Sequence, residues 1–215
     1  MTDFAAVVFD YGATLTDPMG ESFAAFARER PGFDFRAISE VLRPLSGPGD
    51  DDADSHAVGL RCERGESELS ELLEELDALH AGAGDLFRLE TTPVGHFVLN
   101  PRMVALHRDV RRAGLKTAVL SNIFRGLESL YVLDEQEWDA IVFSFAVGMR
   151  KPEARIYRYV AELLGVAPEQ CLFLDDLAPM CAGARAVGMT AVQVTDHDEA
   201  TREARRLLRL DDAAR

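Results

Sequence analysis

Ala5-Ala6-Val7-Val8-Phe9-Asp10-Tyr11-Gly12-Ala13-Thr14-Leu15-Thr16-Asp17 is the stretch whose reading decides the fold. Its first five residues are apolar and run straight into a carboxylate, with a glycine two residues further on. Such a run reads as a buried parallel strand that delivers one acid to its carboxyl end. In open α/β sheets ligands bind beyond that end, so Asp10 is a candidate site residue. Taken alone, a strand-terminal Asp is more often a turn or helix-capping residue.

Composition bounds what that strand can belong to. A chain of 215 residues can bury a substantial core, either as one domain with an insertion or as two small ones. With 47% hydrophobic and 28% charged residues it has the balance of a globular protein. No apolar run approaches the roughly 20 residues that span a bilayer, and an acid at Asp3 without a basic leader argues against a secretory signal. The formal net charge of -14 repels phosphate backbones and argues against nucleic-acid binding. Cys62, Cys171 and Cys181 form no CxxC pair and no even set, so the expectation is reduced thiols in a cytoplasmic protein.

Outward from the first strand, Thr16-Asp17-Pro18 reads as an exit into a different unit. Phe23, Phe26 and Ala27 share a helical face, a second helix is expected over 35–42, and the acid-rich stretch from Ser46 to Asp54 reads as a solvated loop. Leu69, Leu72, Leu73, Leu76 and Leu79 repeat at helical spacing and predict an apolar stripe facing a core. Residues 17–95 are therefore expected to form a small all-helical insertion, with 1–16 and 96–215 forming the α/β unit. After Asn100-Pro101 a helix is expected over 102–113, and strands over 117–120, 140–145, 171–174 and 191–194, separated by helices. That alternation predicts a doubly wound parallel sheet.

Read together, the strand ends collect Asp10, then Ser121 and Asn122, then Lys151 in the loop after the third strand, then Asp175 and Asp176, all at one sheet edge. Each has an ordinary reading as a cap or a surface charge; their coincidence does not. The five histidines, His56, His80, His96, His107 and His197, show no metal-ligand spacing. Ser121 lacks the GxSxG setting of a serine hydrolase.

The chain here resembles the haloacid dehalogenase superfamily, in its branch with a small helical cap. The text that carries the resemblance is Val7-Val8-Phe9-Asp10-Tyr11-Gly12-Ala13-Thr14-Leu15, Leu120-Ser121-Asn122, Gly148-Met149-Arg150-Lys151-Pro152, and Phe173-Leu174-Asp175-Asp176 with Gly183 to Met189. The resemblance implies a phosphatase in which Asp10 attacks phosphorus and forms an aspartyl-phosphate. It implies Mg²⁺ held by Asp10, the Gly12 carbonyl and Asp176, with help from Asp175. It also implies phosphoryl binding by Ser121 and amides near Asn122, and charge neutralisation by Lys151. The implied substrate is a phosphorylated small molecule, with no nucleic-acid or membrane partner and a monomer or weak homodimer as the working form.

Two positions depart from the family pattern. Many family phosphatases have a second Asp where this chain has Gly12, and glycine cannot protonate a leaving group or activate water. An Asn or Asp often stands where this chain has Met180. These departures keep open a 2-haloacid dehalogenase, which lacks the second Asp and needs no Mg²⁺, although its pattern puts a tyrosine two residues after the nucleophile and Tyr11 is one after. They also keep open a catalytically weak member that binds a phosphorylated ligand or a partner protein.

Overall fold

The opening apolar run becomes the centre of a five-stranded parallel sheet in a computed structural model that describes residues 3–18, 28–29, 58–79, 81–92 and 97–210. β1 (Ala6–Phe9) pairs with β2 (Lys116–Ser121) on one side and β4 (Cys171–Asp175) on the other. β3 (Ala140–Phe143) and β5 (Thr190–Gln193) complete the order β3-β2-β1-β4-β5. The chain therefore builds outward from β1 in one direction as far as β3, then returns to β4 beside β1. That reversal is the topological switch point at which open α/β sheets leave a crevice.

Both faces of β1 are covered, which is why its sequence does not alternate. Ala6 and Val8 pack with Ile156, Tyr157 and Val160 of α4 (Ala154–Leu164) and with Met180 and Ala184 of α5 (Ala178–Ala186). Val7 and Phe9 pack with Met103, Leu106 and Val110 of α3 (Pro101–Arg112) and with Ala200 and Ala204 of α6 (His197–Leu208). Asn100 starts α3 by accepting from the Arg102 amide at 3.0 Å, with Pro101 in the first helical position.

The third strand is shorter than its apolar run suggests. It stops at Phe143, and Ser144–Val147 turns helical, closed by Gly148 at φ 64°. Ser144 Oγ accepts from the Ile123 amide (3.1 Å) and donates to the Ile123 carbonyl (3.2 Å), a side-chain substitute for the sheet ladder.

The stretch 17–95 starts and ends at neighbouring segments, with Thr16 bridged to Leu99 and the Asp17 amide donating to the Val98 carbonyl at 2.8 Å. Within it lie α1 (Val58–Glu63) and α2 (Leu69–Leu79). Leu72 and Leu76 are buried as the stripe requires, each worth about 1.5–3 kcal/mol of burial. They form a cluster with Phe87 that also takes in Ile123, Phe124 and Leu127 from beyond β2. The helices expected around 23–27 and 35–42 and the acidic loop, with His56, His80 and His96, lie outside the described residues. Among the described residues no helix is long and apolar enough to cross a membrane.

Candidate active site

Asp10 follows β1 directly, its amide anchored on the Leu174 carbonyl at 2.8 Å, so its side chain emerges beside the end of β4. There Lys151 Nζ donates to Asp10 Oδ1 and to Asp175 Oδ2, both at 2.6 Å, with all three side chains buried. Asp175 gives its other oxygen to the Leu177 amide (2.9 Å), so both of its oxygens are engaged. Asn122 holds the lysine by its backbone: its Oδ1 accepts from the Lys151 amide at 2.8 Å and its Nδ2 donates to the Lys151 carbonyl at 2.9 Å. The Asn122 side chain thus serves the lysine loop, not a substrate oxygen.

Close packing keeps that loop against α5. A Cβ added at Gly183 would stand 2.7 Å from Pro152 Cβ and 2.8 Å from the Pro152 carbonyl oxygen, so only glycine allows this approach. Tyr157 donates its hydroxyl to the Met180 carbonyl at 2.8 Å and ties α4 to α5.

The charge balance at this edge is negative. Burial favours a neutral Lys151, but Asp10 and Asp175 outweigh it and raise the ammonium pKa. Burial lifts Asp10 up to about 7, opposed by Lys151 and reinforced by Asp175 and Asp176. Asp176 is lifted up to about 6, by burial first and then by Asp175. Three carboxyl groups thus face one ammonium, and a bound cation would favour the ionised forms of Asp10 and Asp176.

Ser121 Oγ and the Tyr131 hydroxyl share a hydrogen bond of 2.8 Å. One O–H makes that bond, and the pair retains one further donor. Tyr131 stacks on Tyr11 with ring centroids 3.7 Å apart, while the Tyr11 hydroxyl accepts from the Val132 amide at 2.8 Å. Tyr11 is therefore committed to holding Tyr131 in place.

Asp10, Ser121, Asn122, Tyr131, Lys151, Asp175 and Asp176 line a cavity of about 490 Å³ that also includes Gly12, Glu63 and Met180. Gly12 takes an ordinary extended conformation (φ -68°, ψ 133°) and a Cβ there would meet nothing within 4 Å. The left-handed position in this turn is Ala13, at φ 53°. Asp17 is absent from the cavity wall, and its carboxylate accepts from Asn100 Nδ2 at 2.6 Å. His197 donates toward the Thr14 and Thr16 carbonyls, and His107 stacks on Trp138.

Sequence reading missed Glu63, Arg150 and Tyr131. Glu63 comes from α1 and meets Arg150 Nε at 2.6 Å, both side chains buried. Arg150 carries a weak signal as the neighbour of Lys151; Glu63 and Tyr131 carry none, since neither falls at a strand end. Among the described residues no group of three or more His, Cys, Asp or Glu side chains converges as a metal cluster. The oxygen donors at the cavity, Asp10 and Asp176 beside Gly12, suit Mg²⁺, which commonly takes one or two carboxylates plus water and substrate oxygens.

Known proteins share this layout. The family model of haloacid dehalogenase-like hydrolases matches residues 4–188. A phosphatase of Mycobacterium tuberculosis is 34% identical over 140 residues, 63% of each chain. The alignments to curated relatives cover from 10% to 63% of those proteins' own lengths. The L-2-haloacid dehalogenase of Xanthobacter autotrophicus shares the fold at TM-score 0.63 and 24% identity, over 96% of this chain and 83% of that one. A Bacteroides thetaiotaomicron enzyme of the family, in complex with magnesium and inorganic phosphate, shares it at TM-score 0.57 and 16% identity, over 88% and 93%.

Proposed function

This chain belongs to the haloacid dehalogenase-like hydrolases, and from that premise we propose that it is a Mg²⁺-dependent phosphatase of small phosphorylated molecules. The observation that carries the reading is Lys151 bridging Asp10 and Asp175 at the sheet edge beside Asp176. A phosphatase relative and a structural neighbour holding magnesium and phosphate support it. We read 17–95 as a cap over the site, and the working partner as substrate alone, with neither nucleic acid nor membrane, in a monomer or weak homodimer.

In this reading an Asp10 oxygen attacks phosphorus, the bond to the leaving oxygen breaks, and water then cleaves the aspartyl-phosphate. Lys151 neutralises the phosphoryl group and holds Asp10 in place. Ser121 and Tyr131 offer their remaining O–H to a phosphoryl oxygen. Asp10, Asp176 and the Gly12 carbonyl would hold Mg²⁺, with Asp175 acting through Lys151; the ion supplies positive charge where phosphoryl oxygens gather.

Gly12 leaves the leaving group without a proton donor from that position. General acid-base catalysis is worth about 10²–10⁴-fold, so activated esters and acyl phosphates should turn over much faster than alkyl phosphates. The space beside Gly12 is open, and Gly12→Asp should raise kcat on alkyl phosphates by at least about tenfold. No gain in a steady-state assay would count against the missing-acid argument.

The deciding experiment is phosphate release from p-nitrophenyl phosphate and acetyl phosphate, with Mg²⁺ or EDTA, for the native protein and Asp10→Asn. Release should need Mg²⁺, and Asp10→Asn should lose about 10⁴-fold or more. No release, together with chloride release from 2-chloropropionate, would replace this reading with a dehalogenase.

A further inference from the structure

The ionic edge is only one end of the cavity. Among the described residues, much of its wall away from Asp10 is apolar: Phe87, Phe97, Ile123, Phe124, Leu127 and Met180. Phe87 and Phe124 meet edge to face at 5.1 Å, and Phe97 does the same against Tyr131 at 5.8 Å, so the rings hold one another as a fixed surface.

The polar side chains in the wall beyond the carboxylates already serve one another. Glu63 is paired with Arg150 at 2.6 Å, Asn122 clamps the Lys151 backbone, and Ser121 is bonded to Tyr131. A site for a sugar or a polyol presents side chains that wait for substrate hydroxyls, because selectivity for a hydroxyl comes from groups left unpaired without it. Among the described residues the donor left over on the Ser121–Tyr131 pair is the one assigned to the phosphoryl oxygen, so a hydroxylated leaving group would lose water without gaining side-chain partners there.

Resting on the phosphatase reading above, we infer that the substrate is an apolar phosphomonoester, whose aromatic or branched hydrocarbon leaving group lies on the Phe87, Phe124 and Leu127 surface while its phosphoryl group meets Asp10 and Lys151. The cavity, about 490 Å³, has the size of sites that enclose a whole small ligand, about 300–1,000 Å³.

The test is kcat/KM with Mg²⁺ for phenyl phosphate and its para-methyl, para-ethyl and para-butyl derivatives, whose leaving groups react alike, with para-hydroxymethylphenyl phosphate as the polar match for the ethyl compound. Each buried methylene is worth up to about fourfold, so kcat/KM should rise at least about tenfold from phenyl to para-butylphenyl, and the hydroxymethyl compound should fall below the ethyl one. Phe124→Asn should flatten the rise. If that variant does not fold, the native series still decides. Phenyl phosphate turning over with a flat series, or with the hydroxymethyl compound preferred, overturns the apolar class and leaves the phosphatase standing. No release from phenyl or acetyl phosphate brings down the phosphatase reading and the substrate class with it.

Discussion

Arg150 and Lys151 are consecutive buried cations, yet they belong to two regions with different physics. Lys151 faces the sheet edge, where it meets Asp10 and Asp175 and three carboxylates crowd around it. Arg150 faces α1, where it meets Glu63, and beside it Arg64 reaches Glu153 at 2.7 Å. One cluster brings more carboxyl groups than cations to the cavity; in the other, Glu63 also reaches the cavity wall but is matched by Arg150, and the pair joins two parts of the chain. The lesson is that burial and an ion pair do not identify a reactive group. An unbalanced cluster at a strand end is poised for a ligand, whereas a matched pair is structural.

Breaking the matched pair should give the largest effect. Arg150→Met leaves the Glu63 carboxylate without its 2.6 Å partner, and breaking a buried pair in this way costs about 3–5 kcal/mol. For a chain of this size that corresponds to a fall in Tm of roughly 6–20 °C. Combining it with Glu63→Leu should recover most of the loss in a thermal melt. If the double variant is no better than the single one, the pair is not simply structural and the contrast fails.

Next in size is Lys151→Met. Removing a positioned charge donor from a reaction centre costs about 10²–10³-fold, roughly 2.7–4 kcal/mol of barrier. That loss should appear in kcat for phosphate release. A variant retaining native kcat would show that Lys151 only holds the fold.

Smallest is Asn122→Ala, which touches both clusters. Asn122 grips the Lys151 backbone at 2.8 and 2.9 Å and approaches Glu63 at 3.4 Å. Losing a supporting contact of this kind costs about 10–100-fold in activity. The drop should be accompanied by a modest fall in Tm, because the alanine also removes hydrogen bonds on the boundary between the two regions. A fall in Tm without any change in kcat would assign Asn122 to the Arg150 side alone.

Much of the framework was legible because it rests on local patterns. The run at Ala6–Phe9, the helix signals at Asn100-Pro101 and the strands ending in Ser121 and Asp175 are short-range consequences of burial and capping, and they recur in the observed sheet. The strand-end rule also brought Asp10, Ser121, Lys151, Asp175 and Asp176 to one cavity. The strand expected over 140–145 overruns β3 because Ser144 is the one polar residue in the stretch, and its bonding with Ile123 accompanies a turn into helix that periodicity does not announce. Roles within the site were less legible than membership in it: the side chain of Asn122 is taken up by Lys151, and both oxygens of Asp175 by Lys151 and Leu177.

The sequence by itself determined the parallel sheet, the edge at which Asp10, Lys151, Asp175 and Asp176 gather and the identity of those charged groups, because strand burial follows from local pattern and chain order. Only the tertiary structure decided that Glu63, 87 residues away, neutralises Arg150, that Tyr131 rests on Tyr11 to hold Ser121, and that Phe87 meets Phe124 to make the wall apolar. Those contacts have no periodicity to announce them, because each depends on where the folded chain brings separate loops and helices together.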